Sequence, residues 1–234
     1  MIRRRSVSGF TLVEALTTLV VFGFFLSVLF LTIHWGFRAF SLAVARSDVT
    51  TEARRISLFI EQELRGSSYF SIDSVGRNVG SDRRDAICFV SRNDWSAPNA
   101  FDQDKGSPNW NRYFLYYSTQ SLPSGSLIRA VINPSAAGPT STYEIGPFPF
   151  AGFSAGATNY LKEGPSETYP SEVETARVLA TSVKTFEVKL EPVTQNVDLR
   201  LLLRQNGVMA RRANGVREGG TFELKYLVHP ENTL

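Results

Sequence analysis

Glu14 is the residue whose type and place ask most for an explanation. It stands four residues beyond Phe10 at the head of an apolar segment, and from Ala15 through Phe37 no Asp, Glu, Lys or Arg occurs. A carboxylate in such a segment costs roughly 2.5–3.5 kcal/mol on membrane-insertion scales, less near an interface. Its presence there points to a function and to a cationic partner. The nearest cations in sequence, Arg3, Arg4 and Arg5, precede it in a short leader that ends at Gly9.

Three other groupings have spacings that chemistry uses. Gly152-Phe153-Ser154-Ala155-Gly156 has the pattern of a nucleophile elbow, and Asp198 and His229 follow in the order a hydrolase triad requires. An elbow needs a buried parallel strand before the serine and a helix after it. Pro147 and Pro149 interrupt the approach and Gly164-Pro165 closes the exit, so a Gly-Ser loop explains the stretch better. Asp102, Asp104 and Gly106 space like the start of a calcium loop, but Tyr113 stands where the twelfth-position Glu belongs and the glycine comes one place early. A solvated turn is expected there, and no metal site. Arg200, Arg204, Arg211, Arg212 and Arg217 fall in a stretch, Leu199 to Arg217, that holds no acidic residue. They read either as a phosphate-contacting patch for nucleic acid or, in the favoured reading, as the solvated face of strands whose Leu199, Leu201 and Leu203 point inward. No enzyme and no cofactor is expected.

Composition narrows the field further. The single cysteine, Cys88, excludes an internal disulfide and a cysteine-clustered zinc site. The formal charge of +3 is supplied entirely by Arg3, Arg4 and Arg5, so a basic character depends on the leader.

The elements that position these residues follow from hydropathy and period. The uncharged run is long enough for a bilayer, which needs about 20 residues, and the arginines before it put the N-terminus in the cytoplasm. It is too long for the apolar core of a secretory signal, although Ala43-Val44-Ala45 imitates a cleavage site. His34 belongs to this helix, near its outer end. Val49, Ala53, Ile56, Phe59, Ile60 and Leu64 then recur at three- and four-residue steps, with charges on the other face, so the helix continues in amphipathic form to Gly66-Ser67-Ser68. From residue 86 the period becomes two. Tyr113 to Tyr117 and Leu127 to Ile132 read as a hairpin, Phe186 to Leu190, Leu199 to Leu203 and Phe222 to Val228 as further strands, and Asn206-Gly207 and Asn214-Gly215 as tight turns. Residues 92–111 and 133–171 read as long loops whose aromatics, Trp95, Trp110, Phe148, Phe150, Phe153 and Tyr160, either tuck back onto the sheet or meet a partner. The expected class is α+β: one long helix, then antiparallel sheet. The expected divisions are a leader, 1–9; a membrane and assembly helix, 10–37; its amphipathic half, 38–66; and a β domain, 67–234.

The run Gly9-Phe10-Thr11-Leu12-Val13-Glu14 resembles the processing site of type IV pilins and type II secretion pseudopilins: a basic leader ending in Gly, then Phe, a Glu four residues on, and a long apolar helix. The resemblance implies a pilin-like fold, cleavage by a prepilin peptidase between Gly9 and Phe10, N-methylation of Phe10, and Glu14 as the assembly carboxylate. Cleavage would leave a cationic amine at Phe10, and Glu14 of a neighbouring subunit is the counter-charge that offsets burial of both ions. It further implies other pilin or pseudopilin subunits, an inner-membrane assembly platform and the lipid bilayer as partners. The implied location is the bacterial inner membrane, single-pass with a cytoplasmic N-terminus, followed by a periplasmic or extracellular filament. The length, and the lack of paired C-terminal cysteines, resemble a minor, tip-located pilin or the pseudopilin J group more than a major pilin. No proline precedes Pro98, which leaves Gly23 and Gly36 as the flexible points where many pilins have a proline-loosened helix. The alternative, of another class, is a membrane-tethered module that binds DNA, as in competence, or carbohydrate.

Overall fold

The computed structural model describes residues 11–92, 96, 108, 110–133, 159–211 and 217–231, without the side chains of 205–211 and 217–220. The chain forms two compact units, Met1–Val44 and Ala45–Leu234.

One helix, α1, runs Leu12–Arg65 through Gly23 and Gly36 without a break. In the first unit its side chains face outward all round, as a helix that is apolar on every side does when no described residue of its own chain covers it. It is long and apolar enough to cross a membrane. In the second unit the period sorts the residues. Ala53, Ile56, Ile60 and Leu64 are buried, and Val49 and Phe59 pack at the margin of the same cluster. The helix stops at Arg65, just before Gly66. Its last carbonyls are met from three directions: Ser67 donates to Leu64, the Trp110 indole to Gly66 (3.1 Å) and the Glu231 amide to Arg65 (3.0 Å).

The strands are β1 (Asp73–Val75), β2 (Asn78–Val79), β3 (Asp82–Arg83), β4 (Ala86–Ser91), β5 (Arg112–Ser118), β6 (Gly125–Ile132), β7 (Val173–Glu191), β8 (Asn196–Arg211) and β9 (Arg217–Val228). Seven form one antiparallel sheet in the order β1-β4-β5-β6-β7-β8-β9, and β2 and β3 form a separate ribbon. Alternation along each strand gives the sheet two faces. One face, with Phe89, Tyr116, Leu127, Phe186, Leu199 and Leu201, closes against α1. The other, with Cys88, Leu115, Tyr117, Ile128 and Ala130, is closed by Trp110, Tyr160 and Leu161. Trp110 and Tyr160 therefore tuck back onto the sheet; Trp95, Phe148, Phe150 and Phe153 lie outside the described residues.

The expected α+β class is the observed one, with two differences of detail. Asn206-Gly207 is not a turn: β8 runs through it, and the pairing with β9 shifts register between Arg204 and Met209, so the pair sits in an irregularity of the ladder. The β7–β8 turn falls just before Asn196, where Gln195 takes a positive φ of 55°. Strand β7 also starts far earlier than its alternation at Phe186 suggests. Its first half pairs with β6 and its second half with β8, with shifts where it changes partner. Asn214-Gly215 lies outside the described residues.

Candidate assembly site at the helix N-terminus

Thr11 and Glu14 form a reciprocal cap on α1. The Glu14 carboxylate accepts hydrogen bonds from the Thr11 amide (3.0 Å) and the Thr11 hydroxyl (2.9 Å), and the Glu14 amide donates to the Thr11 hydroxyl oxygen (3.3 Å). This is the Thr-x-x-Glu capping box, which satisfies amides that the first turn leaves without helical partners. One turn on, the hydroxyls of Thr17 and Thr18 return to the Glu14 carbonyl. The helix start thus has a polar end that its own residues complete. The carboxylate is nevertheless exposed and, among the described residues, engaged only by uncharged donors. A cation brought to it would make a charge-assisted bond, roughly twice as strong as a neutral one. Sequence reasoning singled out Glu14 for its charge but did not see that Thr11 holds it, although the box spacing was there to read. Gly9 and Phe10 lie outside the described residues.

The other sequence-derived candidates fall elsewhere. Arg200 is tied on both sides, to Glu223 (2.7 Å) and Glu187 (3.3 Å), in a face where Glu187, Arg200 and Lys225 oppose one another across three strands. Arg200 holds the Glu223 carboxyl below its usual range; at Glu187 burial works the other way but is outweighed by Arg200 and Lys189. This balanced ladder is what a solvated sheet face requires. Arg204 is on the same strand; the side chains of Arg211 and Arg217, and Arg212 as a whole, are outside the described residues. So are Ser154 and the Asp102–Gly106 turn. Asp198 sits opposite Lys189 and Leu227, and the His229 ring meets the Asn196 side chain at 3.0 Å, on antiparallel strands rather than the parallel strand an elbow needs.

Two buried charged groups escaped sequence reasoning. Glu63, on the sheet-facing side of α1, receives two bonds from Arg129 (2.7 and 3.1 Å) and one from the Tyr116 hydroxyl. The Arg129 guanidinium lies over the rings of Phe114 (4.2 Å) and Phe59 (5.4 Å). Burial, reinforced by the Glu63 charge, pushes the Tyr116 hydroxyl well up. The second group is Arg84, fully buried, which donates to the carbonyls of Thr119, Ser121 and Lys184 and so fixes the β5–β6 connection. Both contacts span long stretches of chain, and nothing local in the sequence announces them.

Residues 4–30 match the family model of the prokaryotic N-terminal methylation motif. No curated protein and no solved structure matches the chain. The matched stretch covers Arg4 and Arg5 of the leader, Gly9 to Glu14 and the apolar helix as far as Phe30, and none of the sheet. It supports a pilin- or pseudopilin-type subunit, structural rather than enzymatic, that is processed by prepilin peptidase and assembles with other pilin subunits. Together with the apolar helix it is consistent with membrane anchoring.

Proposed function

We propose that the chain is a minor pilin or pseudopilin, cleaved between Gly9 and Phe10, N-methylated at Phe10, and assembled near the tip of a type IV pilus or type II secretion pseudopilus from the inner-membrane platform. The observation that carries this reading is Glu14, a carboxylate at the start of an apolar helix, held by neutral donors of Thr11 and open to a stronger cationic partner. The new amine of a neighbouring Phe10 is the cation that processing would supply. Exchange of the Thr11 bonds for that amine would register one subunit on the next.

Mass spectrometry of the chain from cells that hold a prepilin peptidase tests it. The expected mass lacks residues 1–9 and carries one added methyl group. An intact Met1, or a start at Arg46 as from signal-type cleavage, overturns the reading. Gly9→Val is expected to block the cut by crowding the peptidase and to leave the chain in the membrane.

A further inference from the structure

The outward side of α1 in the second unit carries a stripe that no described residue of its own chain neutralises. Thr51, Arg54, Arg55, Leu58 and Gln62 recur at three- and four-residue steps opposite the buried Ala53, Ile56, Ile60 and Leu64, and all five are exposed. Leu58, 66% exposed, sits one turn beyond the two arginines. Arg65 at the far end is answered by Glu61 and Glu231. Arg54 and Arg55 make no ion pair or hydrogen bond among the described residues, and Arg55 has only a longer-range attraction to Glu52. Asp48 borders the stripe at its start and no acidic residue lies within it.

We infer that this stripe docks an acidic amphipathic segment of a different subunit, with Leu58 meeting its apolar side and Arg54 and Arg55 meeting carboxylates. The inference rests on the pilin-type reading and names the partner's chemistry. Arginine is enriched at interfaces because its planar fork binds a carboxylate through two bonds while its stem packs on apolar surface. A second copy offering the same stripe would bring four arginines together, and like charges facing each other oppose association. The charge pattern therefore selects an acidic neighbour over self-stacking on this side.

The test uses the full chain in cells that assemble filaments. Arg54→Glu with Arg55→Glu is expected to lower the amount recovered in sheared filaments by about tenfold or more, with cleavage after Gly9 and protease resistance of the folded unit unchanged. Arg54→Lys with Arg55→Lys, which keeps the charge, is expected to stay within about twofold of wild type. A photo-crosslinking amino acid at position 58 is expected to join the chain to another processed subunit through a segment bearing Asp or Glu, and Lys at that Asp or Glu should restore the glutamate variant. Unchanged incorporation of the glutamate variant, or a crosslink to a second copy, to lipid or to nothing, overturns the inference while leaving the pilin-type reading standing. A wild-type chain that keeps residues 1–9 and never enters filaments overturns the pilin-type reading instead.

Discussion

At Glu14 two demands meet in one side chain. The capping box gives the carboxylate a role in starting α1, and a cap of this kind is worth about 1 kcal/mol. Pairing with a neighbour's amine would be worth more, because stranding one ion of a buried pair costs about 3–5 kcal/mol. The two roles predict different variants. Glu14→Val should leave cleavage and the folded sheet intact and should ease membrane insertion by removing a costly ion. Assembly should fall instead, through loss of the counter-charge. Glu14→Gln keeps a hydrogen-bond acceptor for Thr11 but not the charge, so its filament yield should lie between Glu14→Val and wild type. Counts of sheared filaments, or secretion output, decide it; wild-type levels in Glu14→Val would show that the carboxylate does no more than cap the helix.

A second residue-scale prediction concerns Gly125. A β-carbon there would lie 2.3 Å from the Thr119 carbonyl oxygen and 2.7 Å from an Arg84 nitrogen. Neither can yield easily, since Arg84 is fully buried and itself holds that carbonyl at 2.8 Å. Gly125→Ala should therefore destabilise the second unit by about 1–3 kcal/mol, measurable as a lower midpoint in denaturant. A midpoint equal to wild type would mean that the β5–β6 connection is not clamped as described.

At the scale of elements, hydrophobic contacts seat α1 on the sheet, and the Glu63–Arg129–Tyr116 group fixes where along the sheet it sits. Glu63 and Arg129 are 15% and 10% exposed, so breaking the pair leaves a charge with little water. Glu63→Gln alone should cost about 3 kcal/mol. Glu63→Gln with Arg129→Met should cost less than the sum of the two single changes, because no charge is then stranded. Additive losses in denaturant unfolding would show that the two side chains do not act as a pair. These same elements show what a sequence can and cannot disclose. The amphipathic half of α1, the β5–β6 hairpin and the alternation in β8 and β9 were legible because each is a local period of 3.6 or 2. The first half of β7 was not, since Thr175 to Ala180 meets β6 with no clean alternation, and the Asn206-Gly207 pair gave a turn signal that was overridden by ladder pairing resuming at Met209. Glu63 carries no local signal, because its partner is 66 residues away. At the N-terminus the reverse holds: Glu14 and Thr11 are three residues apart, and the site is almost wholly local.

For the whole molecule, the division at Val44 and Ala45 separates two different relations to solvent. The first unit presents Leu12, Phe24 and Trp35 at 81%, 72% and 70% exposure, apolar surface that lipid or neighbouring subunits must cover. The second unit buries two clusters of its own, one on each face of the sheet, and its length of α1 is pinned by Ile56, Ile60 and Leu64. Residues 45–234 alone should therefore fold and remain soluble, whereas the full chain should need detergent or membrane. Cys88 provides the readout. It is fully buried in the cluster on the face away from α1, and burial pushes its thiol well up, with the nearby Asp73 charge acting in the same sense. Thiolate is the reactive form, so a buried thiol of this kind stays inert until the fold opens. A thiol reagent added to residues 45–234 should label Cys88 only as denaturant unfolds the sheet, along the same curve as circular dichroism. The full chain in detergent should give the same curve, since every described residue of the Cys88 cluster belongs to the second unit. Prompt labelling in native buffer would show that the second cluster is not closed, and labelling in the fragment but not in the full chain would show that the first unit is needed to close it.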